Sequence, residues 1–78
     1  MITVKLFGLL RLESGIKELQ VEAKDVKQLY SAMLSYSDKF TQKDLEGCTI
    51  LINGSQGNKR SKLNDGDVVT FMSPVAGG

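Results

Sequence analysis

The C-terminal sequence Ser73-Pro74-Val75-Ala76-Gly77-Gly78 places one reactive group, the carboxylate of Gly78, at the tip of the chain. Proline has a fixed φ and no amide donor, so a regular strand cannot continue through Pro74. Glycine has no side chain and is the most flexible residue. We therefore expect residues 74–78 to form a thin, flexible tail that can enter the narrow active site of another protein. The alternative is a frayed terminus without a function.

The composition excludes most catalytic sites that the chain could build alone. It has no histidine and one cysteine, so Ser-His and Cys-His pairs, an internal disulfide and the usual zinc sites cannot form. The sequence contains no Gly-x-Gly-x-x-Gly motif and no Walker-type loop. Cys48 has no activating group nearby in the sequence, and we interpret it as a small core residue rather than a nucleophile. We expect no metal and no cofactor bound by this chain alone, with any chemistry at the tail performed by a partner protein.

Length and charge narrow the class of protein further. Seventy-eight residues predict one domain with a modest core and no deep pocket. A net charge of +1 gives no field that favours nucleic acid or an anionic membrane. No apolar run approaches a membrane-spanning length, and no leader precedes the first strand-like pattern, so a cytoplasmic location is the expectation. Lys59, Arg60 and Lys62 form a small basic cluster, which we interpret as a solvated loop; the alternative is a contact with an anion or an acidic partner.

Four segments have the pattern of strands. Alternation of apolar and polar residues over 2–7 and 17–23 predicts a hairpin. The residues of 48–52 are nearly all apolar or β-branched, which predicts a strand covered on both faces. Residues 68–72 predict the last strand, and Leu63 is expected to fill the core before it.

One segment has the pattern of a helix. After Asp25 the apolar period changes from two to 3.6 residues, which predicts a buried helical stripe that fades near residues 36–38. The stripe consists of Val26, Leu29, Tyr30, Met33 and Leu34. Asp25 is a favourable N-cap, and Gln28 completes a capping box.

The connections carry weaker signals. Residues 8–16 are predicted to be a loop whose leucines either pack on the core or form an exposed patch. Residues 40–47 are predicted to be irregular, anchored by Phe40 and Leu45. Asn53-Gly54 predicts a turn, and residues 55–62 are expected to hold at most a short, marginal strand.

The order β-β-α-β-(β)-β predicts an α+β fold. A helix needs an apolar sheet face to cover, and parallel neighbouring strands need a crossover connection. The simplest solution is the ubiquitin-like β-grasp, a mixed sheet of four to five strands packed on one main helix, with the last strand parallel to the first. The domain is predicted over residues 1–73, and an extended Gly-Gly tail over residues 74–78.

The residues also resemble a known family over all 78 positions. The chain is similar to the MoaD-like small subunit of molybdopterin synthase, within the MoaD/ThiS sulfur carriers. The matching segments are Val4-Lys5-Leu6-Phe7-Gly8 with Arg11, Asp25-Val26, Ile52-Asn53-Gly54, Leu63 to Val69, and the Ser-Pro-Val-Ala-Gly-Gly ending. The ThiS-like carriers of the thiamine pathway also end in Gly-Gly, but they usually lack the Phe-Gly and Arg segment. Ser73 stands where the family commonly has a second proline, and Met72 where an aromatic residue is frequent.

The resemblance implies a sulfur carrier for the molybdopterin dithiolene, a non-catalytic subunit rather than an enzyme alone. An E1-like (MoeB-like) activating enzyme, which uses ATP and Mg, would adenylate the Gly78 carboxylate, and a sulfur donor would convert it to a thiocarboxylate. The MoaE-like large subunit of the synthase would then receive the sulfur. Gly77 would keep the tail thin for this chemistry. The residues expected to contact partners are Pro74, Val75 and Ala76 in the tail, and Phe7, Arg11, Leu51 and Met72 on the sheet face away from the helix.

The sequence leaves three other functions open. The chain could carry sulfur for another product, such as the thiamine thiazole or a modified tRNA base. It could be a ubiquitin-like modifier whose Gly78 forms isopeptide bonds with lysines. It could also be a β-grasp interaction module with an inert tail.

Overall fold

The computed structural model describes residues 1–73, and the tail predicted over residues 74–78 lies outside them. The described part contains five strands and three helices. In chain order these are β1 (Ile2–Phe7), α1 (Leu9–Ser14), β2 (Glu18–Val21), α2 (Val26–Tyr36), α3 (Gln42–Glu46), β3 (Thr49–Ile52), β4 (Ser55–Gln56) and β5 (Val68–Met72).

The strands form one mixed sheet in the order β2-β1-β5-β3-β4. β1 pairs with β2 antiparallel and with β5 parallel, and β3 pairs antiparallel with both β5 and β4. The predicted parallel pairing of the first and last strands is confirmed, and α2 lies in the connection that this pairing requires. The fold is the predicted ubiquitin-like β-grasp.

The core lies on the sheet face that α2 covers. The register places Leu6 of β1, Phe71 of β5 and Ile50 of β3 side by side, and all three are buried. The ring of Phe71 meets that of Tyr30 on α2 edge-on, with ring centroids 6.1 Å apart and an interplanar angle of 66°. This geometry is one that aromatic pairs prefer, so Phe71 joins the sheet to the helix.

Helix α2 begins as its sequence predicts. The Asp25 carboxylate accepts a 2.7 Å hydrogen bond from the Gln28 amide, which satisfies one of the free N–H groups of the first turn. The Gln28 side chain accepts from the Lys24 amide at 3.0 Å, one residue earlier than in a standard capping box. The predicted stripe is buried along the helix, with Leu34 partly buried against the core.

Two predictions about the connections and one about a strand are wrong. Residues 9–14 form helix α1 instead of a loop, with Leu10 buried and Leu12 74% exposed, so the leucines divide between core and surface. Residues 42–46 form α3, which Thr41 caps by accepting from the Asp44 amide; Phe40 and Leu45 are buried as expected. The third strand is fully covered on one face only, where Ile50 is buried; on the other face Thr49 is exposed and Leu51 is half-buried.

The turn between β3 and β4 and the turn before β5 are joined through side chains. Asn53 (φ 51°) and Gly54 (φ 86°) form the predicted turn between β3 and β4. The Asn53 side chain donates to the Asp67 carboxylate at 2.9 Å and accepts from the Val68 amide at 2.9 Å. The other Asp67 oxygen accepts from the Asn64 amide at 2.8 Å. The amide of Asn64 and then the side chain of Asn53 hold the pKa of the Asp67 carboxyl below its ordinary value of 3.8.

In residues 1–73, no helix combines the length and the apolar character needed to span a bilayer.

The lowered pKa of Asp67 predicts a pH-dependent contribution to stability. A carboxyl whose pKa is depressed in the folded state stabilises the protein above its ordinary pKa, and this contribution is lost as the pH falls through the folded-state value. Asp67→Asn should therefore unfold at a lower urea concentration than the parent protein at pH 7, and the difference should shrink steadily below about pH 4. Urea midpoints from pH 7 to pH 2 measure it, with Asp38→Asn, an exposed site, as the control. A difference that does not change with pH would contradict the assignment.

Phe71 lies at the centre of the core. Among conservative substitutions in the sheet, we therefore expect one at Phe71 to lower the free energy of unfolding most. Phe71→Leu removes the edge-on contact with Tyr30 and leaves unfilled volume, so we expect a loss of about 1–2 kcal/mol in the free energy of unfolding. Leu12→Ala, at an exposed position of α1, should change it by less than about 0.5 kcal/mol. Urea unfolding of both variants at one pH makes the comparison, and equal losses would show that Phe71 is not the centre of the core.

Candidate functional site

Ser73 is the last described residue, and it is held against the end of strand β1 and the start of helix α1. Its amide donates to the carbonyl oxygen of Phe7 at 3.2 Å. Its hydroxyl oxygen donates to the same carbonyl at 3.1 Å and accepts a 2.7 Å hydrogen bond from the amide of Leu10. We call this arrangement of Ser73 with residues 7–10 the Ser73 clamp.

The clamp supplies the N-cap that helix α1 lacks. Gly8 occupies the N-cap position with φ 80° and ψ −147°, and it has no side chain to accept a hydrogen bond. The first amides of a helix have no partner within the helix, so the Ser73 hydroxyl takes the place of a local capping side chain. An added Cβ at Gly8 would stand 2.2 Å from the carbonyl oxygen of Ser73. Glycine is therefore required at residue 8, both for its positive φ and for this close approach.

An apolar patch lies on the sheet beside the clamp. Phe7 and Met72 are paired neighbours on β1 and β5, and their side chains are 44% and 46% exposed. They point away from α2, because the residues next to them, Leu6 and Phe71, are buried beneath it. Side chains that are this large and exposed suit contact with another protein. We refer to Phe7 and Met72 as the Phe7–Met72 patch.

The structure brings together three of the four predicted docking residues of the domain. Leu51 lies on the same sheet face as the Phe7–Met72 patch, on β3 beside Thr70, and is half-buried. Arg11 is placed differently from the prediction, because it lies on helix α1 and not on the sheet. The error follows from the interpretation of residues 9–14 as a loop. Whether these four residues bind a partner stays a prediction.

The predicted site residues of the tail lie outside the described residues. They are Pro74, Val75, Ala76, Gly77 and Gly78.

A shallow groove of about 180 Å³ opens beside Ser73, between α1 and α3. Leu9 and Leu10 contribute apolar surface to it, and Lys43 and Asp44 contribute charge. Within residues 1–73, no three His, Cys, Asp or Glu side chains are grouped to hold a metal ion.

Cys48 has the properties of a structural residue. It packs partly buried against the core, and its thiol donates to the carbonyl oxygen of Asp44 at 3.2 Å. Burial and then the nearby Asp44 carboxylate raise the pKa of the Cys48 thiol to about 11. The thiol is therefore protonated at neutral pH, when a nucleophile would need the thiolate. This supports its interpretation as a small core residue.

The basic cluster lies on the surface. Lys59, Arg60 and Lys62 are exposed and, together with Lys27 and Asp25, surround a shallow depression. Its role stays open between the two interpretations of the sequence.

Ser73 is the residue of the site that sequence reasoning missed. In the sequence, Ser73 was notable only because it stands where the family commonly has a proline. Its capping role could not be inferred, because the amide that it caps, that of Leu10, is 63 residues away. Part of the signal was nevertheless present. Residues 9–13 are mostly strong helix formers, and Gly15 is a favourable helix C-cap, so the helix could have been predicted although its cap could not.

Comparisons with known proteins agree with this architecture. The structure matches a chain of the complex of subunits 1 and 2 of the molybdopterin-converting factor of Helicobacter pylori, with a TM-score of 0.69, 29% identity, and 99% and 97% of the two chains covered. It matches the small archaeal modifier protein 1 of Methanosarcina acetivorans with the same TM-score and identity, covering 99% and 95%. The protein SAMP1 of Haloferax volcanii has a TM-score of 0.80 at 20% identity, covering 99% and 98%, and shares the fold.

A search of curated protein sequences gave no match. The family model described as the ThiS family matches residues 4–78, nearly the whole chain. The protein belongs to the ThiS family.

Proposed function

We propose that the protein is a sulfur carrier and serves as the small subunit of a molybdopterin synthase in molybdenum cofactor biosynthesis. The observation that carries the proposal is the position of Ser73, the last described residue, directly before the Pro-Val-Ala-Gly-Gly ending in the sequence. The sequence Pro74 to Gly78 follows directly from Ser73, which is clamped next to the exposed Phe7–Met72 patch. A protein that docks on this patch would lie beside Ser73, which is five residues before the Gly78 carboxylate in the sequence.

The chemistry of the tail follows from the need to activate a carboxylate. One oxygen of the Gly78 carboxylate attacks the α-phosphorus of ATP, and pyrophosphate leaves. Sulfide, as HS⁻, then attacks the acyl carbon of the adenylate and displaces AMP, and loss of the proton leaves a thiocarboxylate on Gly78. The activating enzyme supplies the ATP and Mg site. Because Gly77 has no Cβ, the walls of an active site can approach the backbone closely.

Two partners are required by this chemistry. An E1-like enzyme performs the activation, and the large subunit of the synthase, which binds the pterin precursor, takes up the sulfur and regenerates the carboxylate. The H. pylori structure supports the second partner, because it is a complex of subunits 1 and 2. We assign the contacts to Phe7, Met72 and Leu51 on the sheet, Arg11 on α1, and Pro74, Val75 and Ala76 in the tail. The proposal also keeps the cytoplasmic location expected from the sequence.

A second candidate function is that of a ubiquitin-like protein modifier. The observation that favours it is the similarity to the small archaeal modifier protein of M. acetivorans, at the same identity as the molybdopterin-converting factor. Both functions begin with the same adenylate and differ in the nucleophile, which is sulfur for the carrier and a lysine amine for the modifier. Carriers for thiazole or tRNA thiolation share the first two steps and differ only in the final acceptor.

The mass of the intact protein tests the carrier chemistry. Incubation with the activating enzyme, ATP, magnesium and a sulfur donor should increase the mass by the difference between one sulfur and one oxygen atom, localised to Gly78 by fragmentation. A variant that lacks Gly77 and Gly78 should fold but gain no mass, and Gly77→Ala should fold and react more slowly. No gain in mass for the intact chain, together with high-mass lysine conjugates on a denaturing gel, would establish the modifier instead.

Binding measurements test docking on the sheet. Phe7→Ala and Met72→Ala should each weaken binding to the large subunit by roughly 5- to 30-fold, equivalent to about 1–2 kcal/mol, because both truncate exposed side chains in the apolar patch. Tyr36→Ala is the matched control, since Tyr36 is 53% exposed but lies on α2. Calorimetric titration gives the affinities, and thermal melts verify folding. Equal losses for Phe7 and Tyr36 would place the interface elsewhere.

A further inference from the structure

We propose that Ser73 is a positioning residue, whose hydroxyl fixes the direction in which the C-terminal residues leave the domain. The inference rests on the proposed function, and it adds a residue that the activating reaction depends on without contact with the reacting atoms. It starts from the Ser73 clamp, in which one serine bonds to residues on both sides of Gly8.

The clamp holds Ser73 at two separate points. A single bond from the Ser73 amide to Phe7 would continue the strand pairing but would allow the residue to pivot about that bond. The hydroxyl adds a 2.7 Å bond from the amide of Leu10, on the next element of the chain. Two anchors on different elements fix both the position and the rotation of Ser73.

The surroundings of Ser73 leave little room for another arrangement. The Gly8 backbone lies so close to the Ser73 carbonyl oxygen that a Cβ at residue 8 would be 2.2 Å from it. Ser73 also precedes a proline in the sequence, and such a residue is confined to extended backbone. The close approach of Gly8 and the backbone preference of a residue before proline both limit the direction in which the chain continues after Ser73.

The clamp also joins the tail to the docking surface. Phe7 contributes its side chain to the Phe7–Met72 patch and its carbonyl oxygen to the clamp. Met72 belongs to the same patch and directly precedes Ser73. A partner docked on the patch therefore meets the chain at a defined point and orientation, with five residues from Ser73 to the reactive carboxylate.

Loss of the hydroxyl should affect the rate of the reaction more than docking. The hydroxyl bonds only to main-chain atoms of residues 7 and 10, so its removal leaves the side chains of the patch in place. Within the docked complex, a tail whose direction is less restricted spends less time with its carboxylate in the reactive geometry. Misplacement of a reacting group lowers the chemical rate steeply. Removal of an interaction that acts after docking lowers kcat and leaves KM unchanged.

The test compares three serine variants in adenylation by the activating enzyme, measured as ATP–pyrophosphate exchange. Ser73→Ala should lower kcat on the order of tenfold, with KM within about twofold of the parent value. Ser73→Thr keeps the hydroxyl and should restore most of the rate. Ser37→Ala is the matched control, since the Ser37 hydroxyl also accepts from a backbone amide, that of Lys39 at 3.1 Å, but lies in the connection after α2. An unchanged kcat for Ser73→Ala, or a higher KM with unchanged kcat, would overturn the proposal.

A second measurement separates positioning from a purely structural cap and does not need the enzyme. In Ser73→Ala, amide exchange at Leu10 should become faster and the heteronuclear NOE at Val75 and Ala76 should fall, while Ser73→Thr should resemble the parent protein. Faster exchange at Leu10 with an unchanged NOE in the tail would show that the hydroxyl only caps α1, and the proposal would be wrong. If the parent protein itself is not adenylated, the proposed function fails, and the NOE comparison still decides whether Ser73 directs the tail.

Discussion

The parallel pairing of β1 with β5 is the constraint on which the rest of the structure depends. Parallel neighbours cannot be joined by a tight turn, so the chain must cross over between them, and α2 lies in this crossover. The same pairing places both ends of the described chain in the middle of the sheet, where their apolar residues are covered by α2. It also brings the C-terminal end of β5 beside the C-terminal end of β1. The candidate site, the Ser73 clamp with the Phe7–Met72 patch, forms because these two strand ends are neighbours.

The two faces of the β1–β5 pair differ in exposure. On the covered face, Leu6 and Phe71 are buried and hold the sheet to α2. One residue further along, the alternation of a strand turns Phe7 and Met72 to the open face. The core therefore fixes the separation of the two exposed side chains, and a change beneath the sheet would also move the patch. Under the proposed function, stability and docking depend on the same backbone but on different side chains.

The sequence predicted the elements whose signals are local. Alternation at residues 2–7 and 68–72, the apolar stripe after Asp25 and the Asn53-Gly54 turn each depend on neighbours within a few residues, and each is confirmed. Helix α1 was missed because its start offers no local capping signal, although its helix formers and Gly15 gave part of one; its cap comes from Ser73, 63 residues after the capped amide. Arg11 was misplaced for the same reason. The position of the Phe7–Met72 patch could be predicted from the strand order, whereas the clamp beside it could not, because it depends on an interaction between distant residues.

A carrier that uses one patch for docking must bind its partners in turn. Under the proposed function, the activating enzyme and the large subunit both need the C-terminal carboxylate, and a chain has only one. If both also dock on the Phe7–Met72 patch, the carrier must leave the first protein before it reaches the second. A small patch with two exposed apolar side chains suits this requirement, because very tight binding to either partner would stop the transfer. Orientation by the clamp then compensates for modest docking, since a tail that leaves the domain in a fixed direction needs less residence time to react.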